Sequence, residues 1–337
     1  MKKFTLALLF VLCISCNQEE KVPDVSAIKI DLSTKRFEKD FFSIDTNLVD
    51  NEMQRLYKIY GNFTSIFVNN ILALSTNKDS IKTTENAIKL FIKTYKNVYD
   101  STQKKYFNFE KERNDIVKGF QFIRYYFPNY KIPKSIITFV GPIDGVGIGL
   151  TENELVIGLQ MYMGKNFVYY KNEYIRSIYP EYKSNRFEPE YIAVNAMSNI
   201  IDDMYPENLS GKALIDLMID EGKKIFVLKK FLPNSKEYRL IGYTEEQLKG
   251  CYNSEASIWN FFVVNDLLFQ NEYQAIKDYV NDGPKTQALG NASPGYIAKF
   301  VGYRIVSKWV NSNKISLEEL MKTPTRTIYE EAKYKPK

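Results

Sequence analysis

The chain has no histidine among its 337 residues. That absence removes a favoured zinc ligand and the commonest general base at neutral pH. Cysteine is nearly missing too, with Cys13, Cys16 and Cys251 as the three present. Two of these lie in the first sixteen residues, so the body of the protein has no pair to oxidise and no thiolate cluster for a metal. An excess of charge is also lacking. The 46 lysines and arginines stand against 40 acids, and residues 1–15 hold two of the lysines and no acid, so the balance of +6 falls to +4 without them. Such a balance is no footprint for nucleic acid. The apolar run from Phe4 to Ile14 is too short to span a bilayer.

What is present begins with that run. MKKFTLALLFVLCISC joins a positive start at Lys2-Lys3 to an apolar stretch that ends at Ser15-Cys16. A small residue followed by cysteine is the pattern of a bacterial lipoprotein leader, although Cys13 stands where an aliphatic residue is usual. The expected organisation is a signal peptide over 1–15, lipid attachment at Cys16, a polar tether over 16–27, and a single domain over 28–337. With 45% apolar and 15% aromatic residues, that domain has the material for a sizeable core without disulfides.

Periodicity predicts a short strand at Ile28–Leu32, then helices marked by Leu56, Tyr60, Ile66, Phe67, Ile71 and Leu72 with a break near Gly61. Further helices follow around Ile88–Tyr95 and Ile116–Tyr126, the latter stopped by Pro128. SIITFVG (135–141) and LVIGLQMYMG (155–164) read as strands, with a glycine-lined strand and a turn at Thr151–Glu154 between them. Gly145, Gly147 and Gly149 do not form a phosphate loop, because a strand rather than a helix follows. Helices are expected again at 188–204, 210–230, 244–270 with a break, and 293–310, where Ser293 is the expected N-cap. The fold class is α+β, mostly helical, with a small mixed or antiparallel sheet.

The stretch VNAMSNIIDD (194–203) places Asn195 and Asn199 four apart on one helical face. Zinc peptidases put histidines at that spacing in H-E-x-x-H, because residues four apart share one ion, with the Glu as general base. Here both ligands are amides and the base position is Ala196. On the next helix, Glu221 falls on the apolar stripe of Leu214, Met218 and Ile225, immediately before Gly222. A third ligand is commonly a Glu on the following helix, so Asn195, Asn199 and Glu221 read as vestigial metal-site positions. A buried carboxylate needs a partner, and a hydrogen bond, direct or through one water, between Glu221 and at least one of the two amides is expected. No bound metal or cofactor is expected.

The segments LVIGLQMYMG, EYIAVNAMSNIIDD, LMIDEGKKIFVLKKFLP, SPGYIAKFVGYRIVSKW and YEEAKYKP give the chain its likeness to a known family. It resembles the GldB-type gliding-motility lipoproteins along essentially the whole mature chain. That family is similar to predicted zinc peptidases of the zincin fold but lacks their histidines. The resemblance implies a zincin-like domain in an envelope lipoprotein, anchored to a membrane, that partners motility and secretion proteins. It brings no molecular activity with it.

The leading reading is an inactive zincin-like scaffold or assembly factor; the alternative is a binding module that captures a peptide or envelope polymer in a vestigial cleft, and a third is a hydrolase working without histidine. The last is disfavoured. Asp202-Asp203 and Asp220-Glu221 are neighbours on helices and diverge by about 100°, and Asp144-Gly145 and Asp282-Gly283 lack the flanking pattern of aspartic proteases. The 25 tyrosines read as core filling.

Overall fold

Four strands form one mixed sheet in the order β1-β2-β4-β3. They are β1 (Ser33–Arg36), β2 (Ser135–Phe139), β3 (Ile148–Leu150) and β4 (Glu154–Gly158). β1, β2 and β4 are parallel, while β3 runs antiparallel to β4 and ends the sheet. The computed structural model describes residues 21–75, 77, 81–206 and 211–337, so the leader and Cys16 lie outside the described residues. β2, reading SIITF, is buried along its whole length, as a strand covered on both faces must be. Successive side chains alternate between two cores. Ile136, Leu155 and Ile157 enter the larger one, and Ile137, Phe139 and Val156 the smaller.

Helices α1 (Phe37–Phe42), α2 (Val49–Tyr60), α3 (Asn62–Ile66) and α4 (Ile81–Lys105) surround the smaller core. Its centre is aromatic: the Phe37 ring lies 4.7 Å from Phe67 and 5.0 Å, edge-on, from Phe63. The expected break falls at Gly61, whose φ of 54° suits glycine. A carboxylate is sealed beneath β1. Glu38 is fully buried, bonded by Arg36 at 2.5 Å and by the Thr138 hydroxyl at 2.7 Å, so its charge is both paired and hydrogen-bonded.

The larger core gathers α5 (Glu110–Tyr126), α6 (Glu173–Ile178), α8 (Tyr191–Met204) and α9 (Leu214–Phe231), while the short α7 (Glu181–Ser184) buries no residue. The chain then forms α10 (Glu237–Ile241), α11 (Glu245–Asn253), α12 (Glu255–Val264), α13 (Tyr273–Val280), α14 (Ala298–Ser312), α15 (Leu317–Lys322) and α16 (Thr325–Ala332). The mostly helical α+β architecture is as expected.

Three local expectations need correction. Residues 28–32 form no strand; β1 begins at Ser33, in register with Ser135. Their alternating burial is real, but their carbonyls are met by α5 side chains. Gln121 bonds the Ile28 oxygen at 2.8 Å and Arg113 the Leu32 oxygen at 3.0 Å. The strand expected over 155–164 ends at Gly158 and turns into a 3-10 segment at Leu159–Met161. Ser293 is not an N-cap, since α14 starts at Ala298. The Ser293 hydroxyl instead ties a turn through the Thr286 and Gly290 carbonyls at 2.9 and 3.0 Å.

α9 and α14 cross with their backbones in contact. A Cβ built on Gly222 would lie 2.2 Å from the carbonyl of Gly302, and one on Gly302 would lie 1.5 Å from the Met218 oxygen. No rotamer relieves a clash with backbone, so the helices themselves would have to part. Gly302→Ala is therefore expected to destabilise the protein by about 3 kcal/mol or more, the upper end of overpacking costs. Gly250→Ala, in α11 with nothing within 4 Å, is expected to stabilise by about 0.5–1 kcal/mol through helix propensity. Urea unfolding of both variants checks the pair, and equal effects would contradict this packing.

Candidate functional site

α8 carries the paired amides. Its apolar residues Ile192, Ala196, Met197, Ile200 and Ile201 are buried, while Asn195, Ser198 and Asn199 are half-buried on another face. These three line a cavity of about 310 Å³ with Gly147 and Ile148 of the β3 region and the side chains of Tyr162, Tyr179 and Phe187. Ala196, at the general-base position, is fully buried in the core and does not line it.

Each wall is positioned by identifiable bonds. Gln160, fully buried within the apolar run LVIGLQMYMG, accepts from the Gly141 N–H at 3.1 Å and donates to the Val146 carbonyl at 3.2 Å. This holds the loop between β2 and β3 over the cavity. Tyr179 donates to the carbonyls of Asp144 and Gly145, each at 3.2 Å, closing the same loop from the other side. Tyr162, 3% exposed, accepts a 3.0 Å bond from the Asn195 amide. Burial pushes its phenol pKa up, and the Asn195 bond offsets part of that rise. Asn199 donates to the Asn195 carbonyl one turn back at 3.0 Å. No described group donates to either amide oxygen.

The strand at the rim has a free edge. The bonds from the Gly158 N–H to the Gly147 oxygen (2.8 Å) and from the Thr151 N–H to the Glu154 oxygen (2.9 Å) fix the parity of the β3–β4 ladder. In an antiparallel pair, alternate residues turn their peptide groups away from the partner. In β3 these are Ile148 and Leu150, and no described group pairs with them.

The three vestigial positions are not all brought together. Glu221 lines a different cavity of about 410 Å³, with Asp220, Lys223 and Lys224 among its neighbours. No direct bond from Asn195 or Asn199 to Glu221 forms: the two amides bond Tyr162 and the Asn195 carbonyl and line one cavity, while Glu221 lines another. α8 and α9 are joined instead through Lys224, which reaches Asp202 at 2.7 Å and approaches Glu221 at 4.0 Å. Glu221 is also less enclosed than its stripe implied, with 15% of the side chain exposed. Among the described residues no three His, Cys, Asp or Glu side chains group as a metal site would require.

Chemically, the cavity offers hydrogen bonds and little else. Its ionisable groups are the phenols of Tyr162 and Tyr179, and burial raises both. Sequence reasoning missed Tyr162, Gln160 and the β3 edge. The one legible signal was a glutamine inside an apolar run. Removing the Tyr162 hydroxyl leaves the Asn195 amide short of an acceptor, so Tyr162→Phe is expected to cost about 1 kcal/mol at neutral pH. An unfolded tyrosine ionises near pH 10 while Tyr162 stays protonated, so its contribution to stability is lost as pH rises above about 10. The variant's stability should fall less steeply there, by up to about 1.4 kcal/mol per pH unit. Unfolding curves between pH 7 and 11 measure both effects, and parallel profiles would contradict the buried phenol.

No curated protein and no solved structure matches the chain. Residues 18–336 match the model of the lipoprotein family described as gliding motility protein GldB. The segments that suggested the resemblance all lie within this match, and the chain belongs to that gliding-motility family.

Proposed function

We propose that this chain is a lipid-anchored, catalytically inactive envelope protein that serves gliding motility and its associated secretion machine by holding an extended peptide segment of a partner in the cleft between β3 and α8. The supporting observation is the unpaired edge of β3, reached at Ile148 by a cavity walled by Asn195, Ser198 and Asn199. Main-chain pairing to a sheet edge supplies affinity for an extended peptide, and amide side chains satisfy peptide groups from the opposite wall.

Inactivity rests on the lining. Phenols held neutral by burial are poor bases near pH 7, and no carboxylate lines either of the two cavities that Ser198 borders. Descent from a zinc peptidase is supported by the four-residue spacing of Asn195 and Asn199 at the wall, but not by Glu221. The alternative is a scaffold whose partner surface lies elsewhere on the molecule.

Ser198→Trp separates the two by filling the cleft. As the sole copy in gliding cells, that variant is expected to be present at normal level in the membrane fraction yet to abolish gliding. Unimpaired gliding would assign the function to another surface. The anchor is tested by Cys16→Ala, which should leave the membrane fraction or retain its leader. Normal incorporation of a fatty-acid label by that variant would contradict lipidation at Cys16.

A further inference from the structure

The β3 cavity does not end at α8. A second cavity of about 270 Å³ shares Tyr179, Phe187, Asn195 and Ser198 with it. The second cavity in turn shares Arg186, Tyr191, Arg239, Gly242 and Lys299 with a third, of about 1050 Å³. The three form one trough, with α8 running along the first two. Tyr191 and Asn199 mark the ends of that stretch of helix, about 12 Å apart along its axis, or roughly four residues of extended chain.

The middle cavity has an unusual charge. Lys183, Arg186, Arg239 and Lys299 line it, and no carboxylate does. Arg186 is ion-paired with Asp282, which belongs to the large cavity beyond. The other three make no ion pair among the described residues. Their neighbours are aromatic faces instead: Lys183 lies 6.0 Å from the Tyr182 ring, Arg239 5.5 Å from Tyr238 and Lys299 4.3 Å from Tyr296. Lys299 sits in the first turn of α14, which has no acid and where the helix dipole disfavours a cation. The Arg186 guanidinium lies close against Gly242 (φ 86°), where an added Cβ would come within 3.1 Å of it. Three cations without a described ion-pair partner, beside the ion-paired Arg186, thus face a space that no carboxylate lines, and an anion entering it meets attraction from each.

We propose that this middle cavity is a carboxylate subsite of the trough, which takes one acidic side chain or the C-terminal carboxylate of the peptide whose neighbouring residues pair with β3. The proposal rests on the peptide-capture reading above. A single carboxylate fits better than an anionic polymer. The large cavity next door is lined by Glu181, Glu188, Glu190, Glu245, Glu246 and Asp282, which would repel a chain of continuous negative charge. Arginine and lysine beside aromatic rings bind a lone carboxylate through charge-assisted hydrogen bonds.

The test uses the full-length protein purified in detergent and fluorescein-labelled octapeptides of alternating Thr and Val. In one series a single Glu is moved through the eight positions, with Gln as its control, all as C-terminal amides. A second series carries no Glu but ends in a free carboxylate. Fluorescence anisotropy is expected to show at least tenfold tighter binding for one Glu position, or for the free terminus, than for the neutral amide. Arg239→Gln and Lys299→Gln, each checked for unchanged thermal unfolding, should abolish that preference while neutral-peptide affinity stays. Equal binding of acidic and neutral peptides would overturn the subsite but leave peptide capture standing. Binding of none of the peptides would overturn peptide capture itself. Binding of polyphosphate alone, dependent on Arg239, would assign the cations to a phosphate polymer and overturn the proposal.

Discussion

The backbone contact between Gly222 and Gly302 is the constraint on which the larger core depends. Two helices that meet without side chains between them leave no room for adjustment. α9 is therefore fixed against α14, and α8 packs on α9 through Lys224 and Asp202. The wall of the cleft thus inherits its position from a crossing of two glycines outside it. Gly222 follows Glu221 directly, so a small residue that looked like part of a peptidase pattern has a packing reason of its own.

The sheet transmits the same order to the other wall. β2 and β4 separate an aromatic core from the main one, and burial on both faces leaves β3 as the rim strand beside α8. Gln160 then holds the loop leading into β3 with bonds to three backbone groups, those of Gly141, Pro142 and Val146. A buried amide left unbonded would be expensive, so this residue fixes the loop in one conformation. A rigid rim and a polar helical wall describe a site with hydrogen bonds to offer an extended chain.

Much of this was legible in the sequence, for physical reasons that differ by element. The apolar runs of β2 and β4 and the helical spacing of α5, α8 and α9 report burial directly, so their placement follows from pattern. Ile28–Leu32 has the same alternation but no strand partner, and a pattern of burial does not say whether a backbone is paired by a ladder or by side chains such as Gln121. Asn195 and Asn199 share a wall because four residues is a helical repeat. Glu221 was assigned to them on spacing along the chain, and the rotation of α9 that sends it into another cavity is set by Gly302, eighty residues away. The cations of the trough come from α7, the loop after it, α10 and α14. No local motif reveals a site assembled from segments so far apart.

The central claim is that the cleft holds a partner's chain intact. The most direct measurement places a photo-reactive phenylalanine at Phe187, which lines both the β3 cavity and the cationic one, in living gliding cells. Irradiation followed by mass spectrometry should show a covalent adduct with an envelope polypeptide of full length, linked through a single short segment. The same probe at Val264, exposed on α12, should yield no such adduct. An adduct from Val264 but none from Phe187, or a partner cleaved at the linked segment, would contradict the account.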